Sequence, residues 1–102
     1  MIKPTVGRVV HYRTGNADID GAMVRNGDQP LAAIITCVWS DSCVNLVVFD
    51  ANGRRHERTS VLLLQEGNPQ PGGGHYCEWM PYQKGQAAKT EELEKELQAG
   101  KE

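Results

Sequence analysis

The apolar positions of this chain come in short, strand-sized runs divided by glycine, proline, asparagine and aspartate, a pattern that predicts β-structure over most of its length. The first run is Thr5–Arg13, "TVGRVVHYR", rich in β-branched and aromatic residues and preceded by Pro4. Three more follow closely: "LAAIITCVW" (Leu31–Trp39), "CVNLVVFD" (Cys43–Asp50) and "RRHERTSVLLL" (Arg54–Leu64). The turns between them, "SDS" and "ANG", are short, and Asn52-Gly53 is the strongest local hairpin signal in the chain. Three consecutive antiparallel strands make a meander. A fifth strand is expected at "HYCEW" (His75–Trp79), after a loop enforced by Pro69, Pro71 and Gly72–Gly74.

The register of the meander follows if both turns have two residues, Asp41-Ser42 and Asn52-Gly53. Trp39 then opposes Val44, Cys37 opposes Leu46, and Ile35 opposes Val48. Across the second turn, Val48 opposes Glu57, Leu46 opposes Thr59, and Val44 opposes Val61. Side chains alternate, so Leu31, Ala33, Ile35, Cys37, Trp39, Val44, Leu46, Val48 and Val61 share a core face. The second face collects Ile34, Thr36, Val38, Asn45, Val47, Phe49, His56, Arg58 and Ser60. A slip of one residue would exchange the two faces.

Two regions lie outside this frame. Thr14–Gln29 reads as a long loop or extended hairpin in which "AMVR" is the only strand-like piece; loops of this length inside small domains often carry function. "MPYQKGQ" leads out of the barrel domain, expected over residues 1–83, into a tail of residues 84–102. Within that tail "AAKTEELEKELQAGKE" is a helix signal, with Thr90 as cap, Glu91 and Glu92 in the first turn and Gly100 at the end. Its apolar content is Leu93 and Leu97, so it docks on something or frays.

Length and charge refine the picture. At 102 residues the chain suits one small domain, and its net charge of −2 gives no overall pull towards nucleic acid or an acidic membrane. The charge is uneven: residues 1–64 balance to +1 and residues 65–102 to −3. No signal peptide or membrane-spanning run is expected. Three cysteines without a CxxC pair suit a reducing compartment.

Candidate chemistry is sparse. His75 and Cys77 are two apart, but zinc needs about four converging ligands and no such spacing occurs, so no metal or other cofactor is expected. Cys77 with His75, or Cys43 with His56, would be a thiolate–imidazole pair, yet no orienting motif frames either, and an enzyme is not expected. Arg54, Arg55 and Arg58, with neighbouring aromatics, are the residue types with which a small barrel holds a nucleic-acid strand, although Asp50 and Glu57 sit among them. The same charges also guard a sheet edge against pairing with other chains. A protein-contact face is the other reading, built from Ile34, Val47, Phe49, His56, Arg58 and Tyr82. Trp79 and Tyr82 are either a plug over one end of the barrel or anchors of an interface.

The segments "PTVGRVVHYR", "LAAIITCVWSDSCVNLVVFDANG", "RTSV" and "CEWMPYQKGQ", in this order over most of residues 4–86, resemble a set of short proteins of tailed bacteriophages and prophages. The resemblance implies a phage-encoded protein of the host bacterial cytoplasm, with an SH3-like barrel and no catalytic residues to carry over. The expected fold class is thus mainly β: a small, strongly bent, five-stranded SH3-like barrel with a short C-terminal helix or tail. The expected function is that of a non-enzymatic accessory or structural protein that meets a phage or host protein, or further copies of itself. Nucleic-acid binding through Arg54, Arg55 and Arg58 is the alternative.

Overall fold

The structure is a computed structural model and describes residues 1–69, 71–72 and 74–99. Five strands, β1 (Val9–Arg13), β2 (Leu31–Ser40), β3 (Cys43–Phe49), β4 (Arg55–Leu64) and β5 (Tyr76–Glu78), close into a barrel in sequence order. All neighbours run antiparallel except β4 and β5, which pair in parallel through Leu63–Cys77 and Leu64–Glu78. A short helix, α1 (Asn16–Asp20), lies in the long loop, and α2 (Pro81–Ala99) follows the last strand. The mainly β barrel expected from the apolar runs is therefore present.

The core contains Val10, Tyr12, Leu31, Ala33, Ile35, Val44, Leu46, Val48, Val61 and Leu63, joined by Met23 from the long loop. Trp79 closes one end, with its indole N–H donated to Gln65 and the Arg8 guanidinium over its ring at 5.7 Å. Val44, Leu46 and Val48 point inward while Val47 and Phe49 look out, as alternation demands.

The register departs from the simple two-turn scheme in four places. At the Asp41-Ser42 turn, Ser40 opposes Cys43 as expected, but β2 then carries two bulges, between Ile35 and Cys37 and between Val38 and Ser40. Each inserts one residue and bends the strand around the barrel. Ile35 consequently meets Leu46 rather than Val48, and Cys37 pairs with Asn45. Val38 takes the inward place expected of Trp39, which is 64% exposed on the outside.

The second turn has three residues, Ala51–Gly53, because Asp50 N–H donates to the Arg54 carbonyl (2.9 Å) and Gly53 N–H to the Asp50 carbonyl (2.8 Å). Gly53 sits at φ +81, the left-handed position such a loop needs. The extra residue shifts β4 by one: His56 opposes Val48, Glu57 opposes Val47 and Arg58 opposes Leu46. His56 and Arg58 thus point to the inner side, not to the Phe49 face, and Glu57 points out. A bulge around Ser60, itself at φ +52, restores the expected Val44–Val61 pairing.

The tail also differs. The helix starts at Pro81, whose fixed φ suits a first helical position, and Gln83 accepts from the Met80 N–H as one half of a capping box. Thr90 is inside α2 and donates to the Gln86 carbonyl one turn back, so it is not the cap. Gly100, the expected end of the helix, lies outside the described residues. No helix among the described residues is long and apolar enough to cross a membrane.

Candidate functional site

The outward side chains of β1, β2 and β3 form two rows across the barrel. One runs Val9, Ile34, Val47, Glu57; the other runs Glu78, His11, Ala32, Phe49, Arg55. Ile34, Val47 and Phe49, expected on one face, are brought together here, half-buried, with Val9 and Ala32 exposed beside them. The β4 rim is charged, and Arg55 Nε lies 3.3 Å from Glu57 Oε1. The result is an apolar strip with a polar margin, the composition of a contact patch.

Further along β2, beyond the exposed Thr36, Trp39 also faces out. Its indole N–H donates to Asn45 Oδ1 at 2.9 Å, and the same oxygen accepts the Ser60 N–H at 2.8 Å. One carboxamide therefore orients an exposed aromatic ring and holds the β4 bulge. A large aromatic fixed in place loses little freedom when it meets a partner. The sequence pointed to the core for Trp39, and nothing in its neighbours marks the bulges that turn it outward.

His56 and Arg58 occupy the mouth of the barrel instead. Arg58 grips Asp18 through Nε and Nη2, each 2.8 Å from Oδ1. Asp18 Oδ2 accepts from the Tyr12 hydroxyl at 2.6 Å and from the Gly15 N–H at 2.9 Å. Burial alone would raise the pKa of Asp18, but these donors outweigh it and hold the carboxyl below its ordinary value. Burial, and then the Asp18 charge, raise the Tyr12 pKa. Burial works against the Arg58 charge, yet its bonds to Asp18 raise its pKa overall.

A second carboxylate, Asp50, does parallel work beside it. His56 Nε2 lies 2.9 Å from Asp50 Oδ2, and Asp50 Oδ1 accepts from the backbone N–H groups of Asn52 and Arg54. The His56 hydrogen bond, with backbone donors that include Val24, brings the Asp50 pKa down to about 2. Ala51 N–H donates in turn to the Val24 carbonyl. Asp18 and Asp50 thereby clamp the 14–30 loop onto the barrel mouth, and Met23 is inserted into the core beneath.

The three arginines of the nucleic-acid alternative diverge: Arg54 is exposed on the hairpin, Arg55 points outward beside Glu57, and Arg58 points inward onto Asp18. Tyr82 is on the first turn of α2, in a groove with Met1, Arg8 and Gln86, and its neighbour Gln83 donates to the Val9 carbonyl. His75 lies against Tyr12 with ring centres 5.9 Å apart and planes tilted by 31°. Cys77 is buried, which pushes its thiol up to about 12. Cys43 and His56 are held at opposite ends of β3, opposite Leu62 and next to Val48, about 16 Å apart along the strand. Among the described residues, no group of three or more His, Cys, Asp or Glu side chains is placed to hold a metal. Comparison with protein-family models, with curated proteins and with solved structures finds no match.

Proposed function

We propose that this chain is a non-enzymatic accessory or structural protein, of the phage or prophage kind, that works by protein–protein contact through the outer face of β1, β2 and β3. The observation that carries this reading is the apolar strip of Val9, Ile34, Val47 and Phe49, with the oriented, 64% exposed Trp39 further along β2. Such a strip on a small barrel costs solubility unless another surface covers it. Among the groups with chemical reactivity, Asp18 and Asp50 hold the loop and Cys77 is a buried thiol. The arginines that a nucleic-acid reading needs are split between two ion pairs and a hairpin tip, which favours the protein-contact reading over it.

The test is affinity capture from phage-infected or lysogenic bacteria with the wild-type chain and with Val47→Glu, a change on the outward side. Loss of a specific protein from the Val47→Glu capture, with circular dichroism unchanged, is the expected result. Identical captures from both would contradict the reading. Tight, salt-sensitive binding of DNA or RNA lost on charge reversal of Arg54 and Arg55 would replace it with the nucleic-acid one.

A further inference from the structure

The chain holds two Asn-Gly pairs, Asn26-Gly27 in the long loop and Asn52-Gly53 in the β3–β4 hairpin. This dipeptide is especially open to succinimide chemistry, because glycine puts no Cβ between its own backbone nitrogen and the asparagine side chain before it. Both pairs sit at exposed turns, with Gly27 at φ +54 and Gly53 at φ +81. Exposure and backbone handedness therefore do not separate them. Hydrogen bonding does.

At the hairpin the nitrogen that would attack is occupied. Gly53 N–H donates to the Asp50 carbonyl at 2.8 Å, and Asp50 Oδ1 accepts from the N–H groups of Asn52 (2.9 Å) and Arg54 (3.0 Å). Asp50 N–H donates to the Arg54 carbonyl across the turn. The peptide groups around Asn52 are fixed in this way, and the ionised Asp50 carboxylate beside them disfavours a further negative charge there.

At the loop the corresponding nitrogen is free. The Asn26 carbonyl accepts from the Gln29 N–H at 3.1 Å, Asn26 Nδ2 donates to Gln29 Oε1 at 3.4 Å, and Arg13 Nη1 donates to the Asp28 carbonyl at 2.8 Å. These bonds close the turn around Gly27 without using its N–H, which has no acceptor among the described residues. The contact at 3.4 Å is only a weak restraint on the Asn26 side chain.

We propose that Asn26 is a site of spontaneous deamidation selected by the fold: the folded protein converts it to aspartate and isoaspartate while the same dipeptide at Asn52 is spared. The Gly27 nitrogen loses its proton to solvent base and bonds to Asn26 Cγ. The Cγ–Nδ2 bond breaks, and ammonia leaves with a proton taken from water. Water then adds to either carbonyl carbon of the five-membered ring and opens it, giving an α- or a β-linked aspartate. One water is consumed, one ammonia is released, and nothing is oxidised or reduced. The product sets a new carboxylate next to Arg25 and Gly27, which line a polar groove with Arg13, Thr14 and Gln29. This site is independent of the contact-face reading.

The experiment is peptide mapping by mass spectrometry of the full chain, held folded at mildly alkaline pH, with a parallel sample unfolded in concentrated urea. Circular dichroism verifies the folded state. In the folded sample Asn26 should convert at least about tenfold faster than Asn52, because Asn52 reacts only when its hairpin opens. In urea the two rates should converge, since each asparagine then differs only in its chain neighbours. Asn26→Gln should abolish the fast conversion and leave the slow one at Asn52 unchanged. Equal rates in the folded chain, or a faster Asn52, overturn the inference. A preference of the same size in urea also overturns it, because the cause would then lie in the neighbouring residues and not in the fold. So does an Asn26 that stays intact in the folded chain while it converts in urea.

Discussion

Arg58 is forty residues from Asp18 in the chain, yet its guanidinium rests 2.8 Å from the Asp18 carboxylate. That contact ties the inner side of β4 to the 14–30 loop and, through the Tyr12 hydroxyl, to β1. Arg58 sits at an inward position because β4 is shifted by one residue, and Asp18 is what makes a cation tolerable there.

Removing the cation should therefore be costly. Arg58→Met leaves a buried carboxylate without its partner and is expected to destabilise the fold by about 3 kcal/mol. Asp18→Asn combined with Arg58→Met should cost less than the two single changes added together, because no unpaired charge remains. Urea unfolding of the three variants checks this.

The clamp also sets a response to acid. The Asp50 carboxyl drops from 3.8 in the free side chain to about 2, and that of Asp18 also falls below 3.8. The unfolded chain consequently takes up protons first as pH falls, and stability present above about pH 4 is lost between there and pH 2. Melting temperature measured from pH 6 to pH 2 should fall steeply in this window. Asp50→Asn should start lower at neutral pH and fall less steeply.

Asn45 has two duties that one substitution separates from the core. Asn45→Ala removes the acceptor for both Trp39 and Ser60 and should cost about 1–2 kcal/mol. Trp39 should become more mobile as well, measured as lower fluorescence anisotropy in a Trp79→Phe background. Ser60→Gly should instead be neutral or stabilising by about 0.5–1 kcal/mol, since Ser60 holds φ +52.

Gly15 is required for closeness, not for its dihedrals. A Cβ there would stand 2.8 Å from the backbone nitrogen of His75 and 3.2 Å from the Gly74 carbonyl carbon. Gly15→Ala should destabilise by about 1–3 kcal/mol and loosen the tilted contact of His75 with Tyr12. Thermal unfolding, together with the His75 ring signals in NMR, reports both effects.

Alternation of apolar and polar residues made the strands legible, and with them the inward set of Val44, Leu46, Val48 and Val61. The faces of residues 54–58 were not legible, because Asp50 accepts from Asn52 and Arg54 and converts a two-residue turn into a three-residue one. The signal was present in "DANG": aspartate opening a turn and glycine at its left-handed position. The bulges of β2 carry no glycine or proline, so nothing local announces that Trp39 turns out. Asp18 could not be paired from sequence, since its partners on β1 and β4 meet it only in the closed barrel. Pro81 was a readable helix start that the polar run after it obscured.

The proposed contact surface is the outer face of β1–β3. Methyl NMR on valine- and isoleucine-labelled protein, titrated with the captured partner or with unlabelled copies of the chain, tests it most directly. The Val9, Ile34 and Val47 methyl signals should shift together while those of Val10, Val44 and Val48 stay still. Shifts confined to other methyl groups, with the outer three unmoved at saturation, would contradict it.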